Sequence, residues 1–206
     1  MIFLLKMTDP FNGFILCPLI KGNQQFVDNK KYQRQRKATA EKQHPVAVVI
    51  SCSDSRVIPE VLFNELNLGQ LFVVRVAGPA LCQCDLDSVK YAIDNLNVRT
   101  IIIIGHMNCG AVTAVWDAKF HQKPSADAEE QTPGDVPTDY PCLYNYIYPS
   151  CVKIGNDKDL SIKMSIKLNV KNTGKYLVDH LHIDHHMIHL SYYNIVTGKI
   201  HFFCHH

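Results

Sequence analysis

Val46-Ala47-Val48-Val49-Ile50-Ser51-Cys52-Ser53-Asp54-Ser55-Arg56 and its counterpart Thr100-Ile101-Ile102-Ile103-Ile104-Gly105-His106-Met107-Asn108-Cys109 decide how this chain reads. Each is a continuous, β-branched apolar run that stops at a cysteine or a histidine. Runs of this kind suit strands buried on both faces of a parallel sheet. A third run, Leu71 to Val76, has the same character. Between it and Thr100 the residues Leu86, Val89, Ala92, Ile93 and Leu96 recur at helical spacing, so Asp85 to Leu96 is the helix of a β-α-β unit with a right-handed connection. The expected fold is α/β: a mainly parallel central sheet flanked by helices.

Open α/β sheets place ligand sites at the carboxyl ends of their strands, where Cys52 and the His106/Cys109 pair would converge. Two thiolates and one imidazole form a zinc set, and three protein ligands leave a fourth tetrahedral position for water or substrate. That is the form of a catalytic site, because neither run supplies the fourth ligand that closes a structural zinc. Standing alone, Cys52 reads as a small buried hydrophobe and His106 as a satisfied core histidine; at two strand ends together they favour a metal. Asp54 and Arg56 share the loop after the first run. An Arg–carboxylate pair there keeps the carboxylate ionised and able to accept a hydrogen bond beside the metal. Two other readings of the pair stay open: an ordinary ion pair, or Asp54 moving onto the metal and closing the site.

Outward from these runs, residues 1–45 mix apolar patches with helix formers and end at His44-Pro45, which gives one or two N-terminal helices forming an arm. A helix starts at Gly110 and loses its pattern near His121. Residues 122–141 hold four prolines, a glycine and several acids, and read as a surface loop or insertion. Leu160 to His182 is helical again, and Met187 to Tyr193 with Lys199 to Phe203 flank Thr197-Gly198 as a strand pair. No internal repeat is visible.

At 206 residues, 47% hydrophobic and 19% charged, the chain fits a single domain, residues 1–206. A net charge of +2 is too mild for a nucleic-acid partner, and the basic run Lys30 to Lys37 reads as a solvated helix face. The apolar opening Met1 to Leu5 is broken by Lys6, Asp9 and Pro10, and no segment is apolar for the length of a spanning helix, so no membrane partner is expected. Eight cysteines in a chain of this length point to a reducing, cytoplasmic setting, with organelle targeting left open. Cys82-Gln83-Cys84 has no second pair to complete a metal site and reads as loop thiols. Eight of the eleven histidines lie between His180 and His206, among them His185 and His186. A second metal site or a proton relay there competes with a solvated tail, and the absence of a regular spacing favours the tail.

The ordered motifs resemble the β-class carbonic anhydrases. The likeness runs from Asn23 onward through Asn23-Gln24-Gln25-Phe26, Gln43-His44-Pro45, Cys52 to Val57 with Pro59, Gly69 to Arg75, Ala77-Gly78, Tyr91-Ala92, Gly105-His106, Cys109-Gly110-Ala111 and Tyr193 to Gly198. It implies a zinc enzyme, one Zn2+ per chain, that reversibly hydrates CO2 to bicarbonate and a proton. It also implies a homodimer or higher oligomer with active sites at the subunit interface. By similarity Cys52, His106 and Cys109 match the metal ligands and Asp54 and Arg56 the catalytic dyad. Gln43 matches the substrate-binding glutamine, and Phe72, Ala77 and Tyr91 line the apolar pocket. The chemistry would come from zinc lowering the pKa of bound water to about 7, a value established for carbonic anhydrases at large.

The chain departs from that pattern at Pro79, where the family has asparagine, at Lys90 for glutamate, and at Asn194 for aspartate. Val49 stands where a bicarbonate-inhibited subgroup has tryptophan, which favours an open site. Two rival functions remain: hydrolysis of CS2 or COS on the same fold, and a non-catalytic zinc-binding sensor or scaffold.

Overall fold

The computed structural model describes residues 10–121 and 140–204. The chain separates into two units, one reaching to Gln43 and including Asn67–Gly69, the other formed by His44–Leu66 and the remainder from Gln70. The first unit holds α1 (Pro10–Asp28) and α2 (Lys30–Thr39). The break between these helices is chemically defined. Asn29 Oδ1 accepts from the N–H groups of Lys31 and Tyr32 and so caps α2, while Arg36 donates to the carbonyls of Phe26 and Val27, each at 2.9 Å. Gln35 donates to Asn67 Oδ1 at 2.6 Å and accepts from Leu68 N–H, which ties the Asn67–Gly69 segment to α2. The Lys30 to Lys37 run lies on α2, which buries no residue.

The second unit contains β1 (Ala47–Cys52), α3 (Pro59–Leu62), β2 (Leu71–Val76), α4 (Gln83–Leu96), β3 (Ile101–His106), α5 (Gly110–His121), α6 (Pro141–Ile147), α7 (Lys158–Leu181), β4 (Ile188–Tyr193) and β5 (Ile200–Phe203). The sheet order is β2-β1-β3-β4-β5, parallel throughout except for β5, which runs antiparallel to β4. The turn joining them is set by Asn194, whose Oδ1 accepts from Val196 and Thr197 N–H, and by Gly198 at φ +73°. β1 is buried along its whole length, as its apolar run requires. Leu71 to Val76 departs from the expected burial on both faces: β2 is an edge strand, and only Val74 in it is buried.

Two short helices escape the sequence pattern. α3 is a single turn opened by Pro59. α6 begins at Pro141, a residue that reads in sequence as the end of a loop but is favoured at the first position of a helix. The rest of that loop, residues 122–139, lies outside the described residues, as do Met1 to Leu5 and His205-His206.

Helix α7 connects the core to the site. Ile166 and Val170 pack on Gly105 of β3, where a Cβ would come within 2.8 and 2.6 Å of their methyl groups. A second row on α7, Ser161, Ser165, Asn169 and Thr173, is buried and polar. Four-residue spacing puts these side chains on one face, where they bond backbone that no strand satisfies: Ile154 N–H, Val152 N–H, Gly78 O and Pro79 O respectively. Among the described residues no helix is long and apolar enough to cross a membrane.

Candidate metal centre

β1 and β3 are adjacent parallel strands, and their last residues are Cys52 and His106. Beyond β3 the chain turns through Asn108, which takes a left-handed φ of +55°, and returns Cys109 to the start of α5. The sulfur and nitrogen atoms of Cys52, His106 and Cys109 lie within 4.8 Å of one another, with the two Sγ atoms 4.0 Å apart. All three residues are buried. His106 Nδ1 is 3.0 Å from the Met107 carbonyl, the contact that makes Nδ1 the donor and leaves Nε2 as a lone pair. That Nε2 is buried with no hydrogen-bond partner among the described residues. An orphaned imidazole nitrogen facing two thiols fits a borderline-soft dication such as zinc.

The thiols are electrostatically unequal. The Cys109 hydrogen bond pulls Cys52 well below the usual thiol value, helped by His106 and by the N–H groups of Gly78 and Asp54, against the cost of burial. Cys109 is pushed the other way by Cys52 and by burial. A cation bound between the two sulfurs would take the place of their thiol protons.

Asp54 and Arg56 meet as the sequence suggests. Arg56 donates through Nε to Oδ1 at 2.9 Å and through Nη2 to Oδ2 at 2.7 Å, and its backbone N–H also reaches Oδ1. These bonds hold the Asp54 carboxyl far below the ordinary carboxylate range, with a smaller contribution from His106. Oδ2 lies 4.0 Å from His106 Nε2. Arg56 additionally reaches Asn108 O at 3.4 Å, linking the loops that follow β1 and β3.

Ring centroids of Phe72 and Tyr91 are 6.5 Å apart; Phe72 is partly buried, while Tyr91 and Ala77 are exposed. Gln43 closes the first unit and is exposed. Asp184, His185 and His186 gather in one exposed cluster at a 3-10 turn. Cys82 and Cys84 are exposed at the start of α4.

One residue without a role in the sequence reading is Arg75, which donates to Cys52 O at 3.3 Å and Asp54 O at 2.8 Å and so braces the loop after β1. Its one visible signal is a charge inside an otherwise apolar strand.

Known proteins share this sequence family and this fold. The family description "Carbonic anhydrase" matches residues 47–200. Carbonic anhydrase 2 of Mycobacterium tuberculosis (strain CDC 1551 / Oshkosh) is 41% identical over 101 residues, 47% of this chain and 48% of that protein. The aligned part thus spans about half the length of the curated relative. Among solved structures, the Coccomyxa β-carbonic anhydrase superposes with a TM-score of 0.72 at 23% identity, covering 91% of this chain and 85% of that one. One from Sordaria macrospora, described as a tetrameric β-carbonic anhydrase, gives 0.64 at 20% identity, covering 91% and 95%. With the parallel sheet, the Cys-His-Cys cluster at its strand ends and a match over residues 47–200, this chain belongs to the β-class carbonic anhydrase family.

Proposed function

We propose that the protein catalyses the reversible hydration of CO2 to bicarbonate and a proton, using one zinc ion per chain held by Cys52, His106 and Cys109. The observation that carries this reading is the ionised Asp54–Arg56 pair set beside the unpartnered His106 Nε2. Bound there, zinc supplies the Lewis acidity that ionises water near neutral pH.

The chain's own residues supply position and selectivity. Asp54, bonded through both oxygens to Arg56, has no proton to donate and would accept a hydrogen bond from the water that a bound zinc would ionise, orienting it towards the substrate. Arg56 keeps Asp54 ionised and engaged through both oxygens, so in this reading Asp54 would stay off a metal held by Cys52, His106 and Cys109 and the site would be open. Phe72, Ala77 and Tyr91 offer CO2 an apolar surface suited to an uncharged molecule, and Gln43 donates a hydrogen bond to a substrate oxygen. Addition of hydroxide to CO2 forms one C–O bond as one C=O π bond opens onto its oxygen, giving bicarbonate; the proton taken from water passes to buffer.

The protein acts as a homodimer or larger homo-oligomer, a reading supported by the tetrameric Sordaria relative and by apolar side chains exposed on α1. Eight free cysteines support a reducing, cytoplasmic setting.

Stopped-flow hydration of CO2 by zinc-quantified protein, from about pH 6.5 to about 9, tests the proposal. Rapid turnover that falls about 10- to 100-fold in Arg56→Ala, with zinc retained, is the expected result. A chain with one zinc and no hydration, or an Arg56→Ala variant with full turnover, overturns it.

A further inference from the structure

The Gly78–Pro79 turn beside the metal centre is held from several sides. Ala80 N–H closes it onto Ala77 O at 3.2 Å, and Gly78 takes a left-handed φ of +59°. Gly78 itself has no room for a side chain, since a Cβ would lie 2.7 Å from Ile147 Cδ1 and 3.1 Å from Ala111 Cβ.

Helix α7 does the restraining. Asn169 Nδ2 donates to Gly78 O at 2.6 Å and Thr173 Oγ1 to Pro79 O at 3.3 Å, both from fully buried positions. The other polar group of Gly78, its N–H, donates to Cys52 Sγ at 3.3 Å. Gly78 has no side chain to fix its torsions, so a carbonyl released from Asn169 leaves φ and ψ of the residue free to relax and its N–H free to leave the sulfur.

We propose that Asn169 is a positioning residue for the metal centre: by holding the Gly78 carbonyl it keeps the Gly78 N–H aimed at the Cys52 sulfur. The proposal rests on Cys52, His106 and Cys109 being the zinc ligands. An N–H directed at a thiolate offsets its negative charge and fixes its lone-pair direction, so this contact tunes how tightly the site holds zinc and how much charge the sulfur donates. Ser165 serves as the contrast. It is buried on the same face of α7 but bonds Val152, away from the turn.

The test compares full-length parent, Asn169→Ala and Ser165→Ala in three measurements: zinc affinity by competition with a chromophoric chelator, the thiolate-to-metal charge-transfer band of the cobalt(II)-substituted protein, and urea unfolding. Asn169→Ala is expected to bind zinc roughly tenfold more weakly or worse, with a displaced cobalt band. Ser165→Ala is expected to lose stability while keeping parental affinity and band. Parental values in Asn169→Ala, or equal changes in both variants, overturn the positioning role alone. A parent that fails to bind zinc overturns the ligand reading with it. Should Asn169→Ala not fold, Thr173→Val takes its place: a few-fold loss of zinc affinity with a displaced band supports the proposal, and parental behaviour overturns it.

Discussion

Cysteine shows how little a residue's identity decides without its surroundings. Cys52 and Cys151 are both buried, yet Cys52 accepts two backbone N–H groups and faces Cys109 and His106, whereas Cys151 donates weakly to Ile147 O among apolar neighbours. Burial pushes the Cys151 thiol up to about 11, with Lys119 working slightly against it. The folded value lies above that of the unfolded chain, so the neutral thiol contributes stability that is complete below about pH 8.5 and is lost as pH rises towards 11. The parent is therefore expected to lose up to roughly 2–3 kcal/mol more than Cys151→Ala between pH 8 and 11. Urea unfolding at the two pH values measures the difference, and parallel losses in both proteins would assign the alkaline sensitivity to other groups. The clustering of Cys52, His106 and Cys109 was legible without such detail because three soft or borderline donors stand just past two apolar runs. Arg75 and Asn169 were not, since each acts through backbone atoms that spacing does not reveal.

At the level of elements, β1, β3 and α4 were legible because burial on both faces demands unbroken β-branched runs and a helix demands its own period. β2 carries the same apolar run but lies at the edge of the sheet, and a run of six apolar-rich residues does not encode which neighbours it will have. α3 and α6 were missed because one or two turns are too short to establish a period, and at α6 the proline signal suits a loop and a helix start equally well. The packing of α7 against β3 gives a sharp expectation. Gly105→Ala places a methyl 2.6 Å from Val170 Cγ2 and 2.8 Å from Ile166 Cγ2, so helix and strand must separate one residue before His106. A loss of about 1–3 kcal/mol in urea unfolding is expected. Gly110→Ala, where a Cβ meets nothing within 4 Å, should stay within about 0.5 kcal/mol of the parent. Equal stabilities for the two variants would show that α7 yields without cost.

On the scale of the whole molecule, a solvated surface does not explain the composition of α1. Leu19 is 65% exposed and Ile20 56%, and Leu16 and Val27 are exposed on the same helix. Adjacent exposed aliphatic side chains on a helix that no described residue of its own unit covers are what self-association removes from water, at about 25 cal/mol per Å² of apolar area. If a second copy covers them, the mass in solution by sedimentation equilibrium will be at least twice 23.4 kDa. The double variant Leu19→Asp with Ile20→Asp should then shift the population towards the single chain, because two carboxylates would lose their water on association. Helical content by circular dichroism should be retained, since both positions face solvent within the chain. A parent that sediments as a single chain would leave α1 without the role assigned to it. A variant that stays oligomeric would move the interface to another surface, with the edge strands β2 and β5 the next places to substitute.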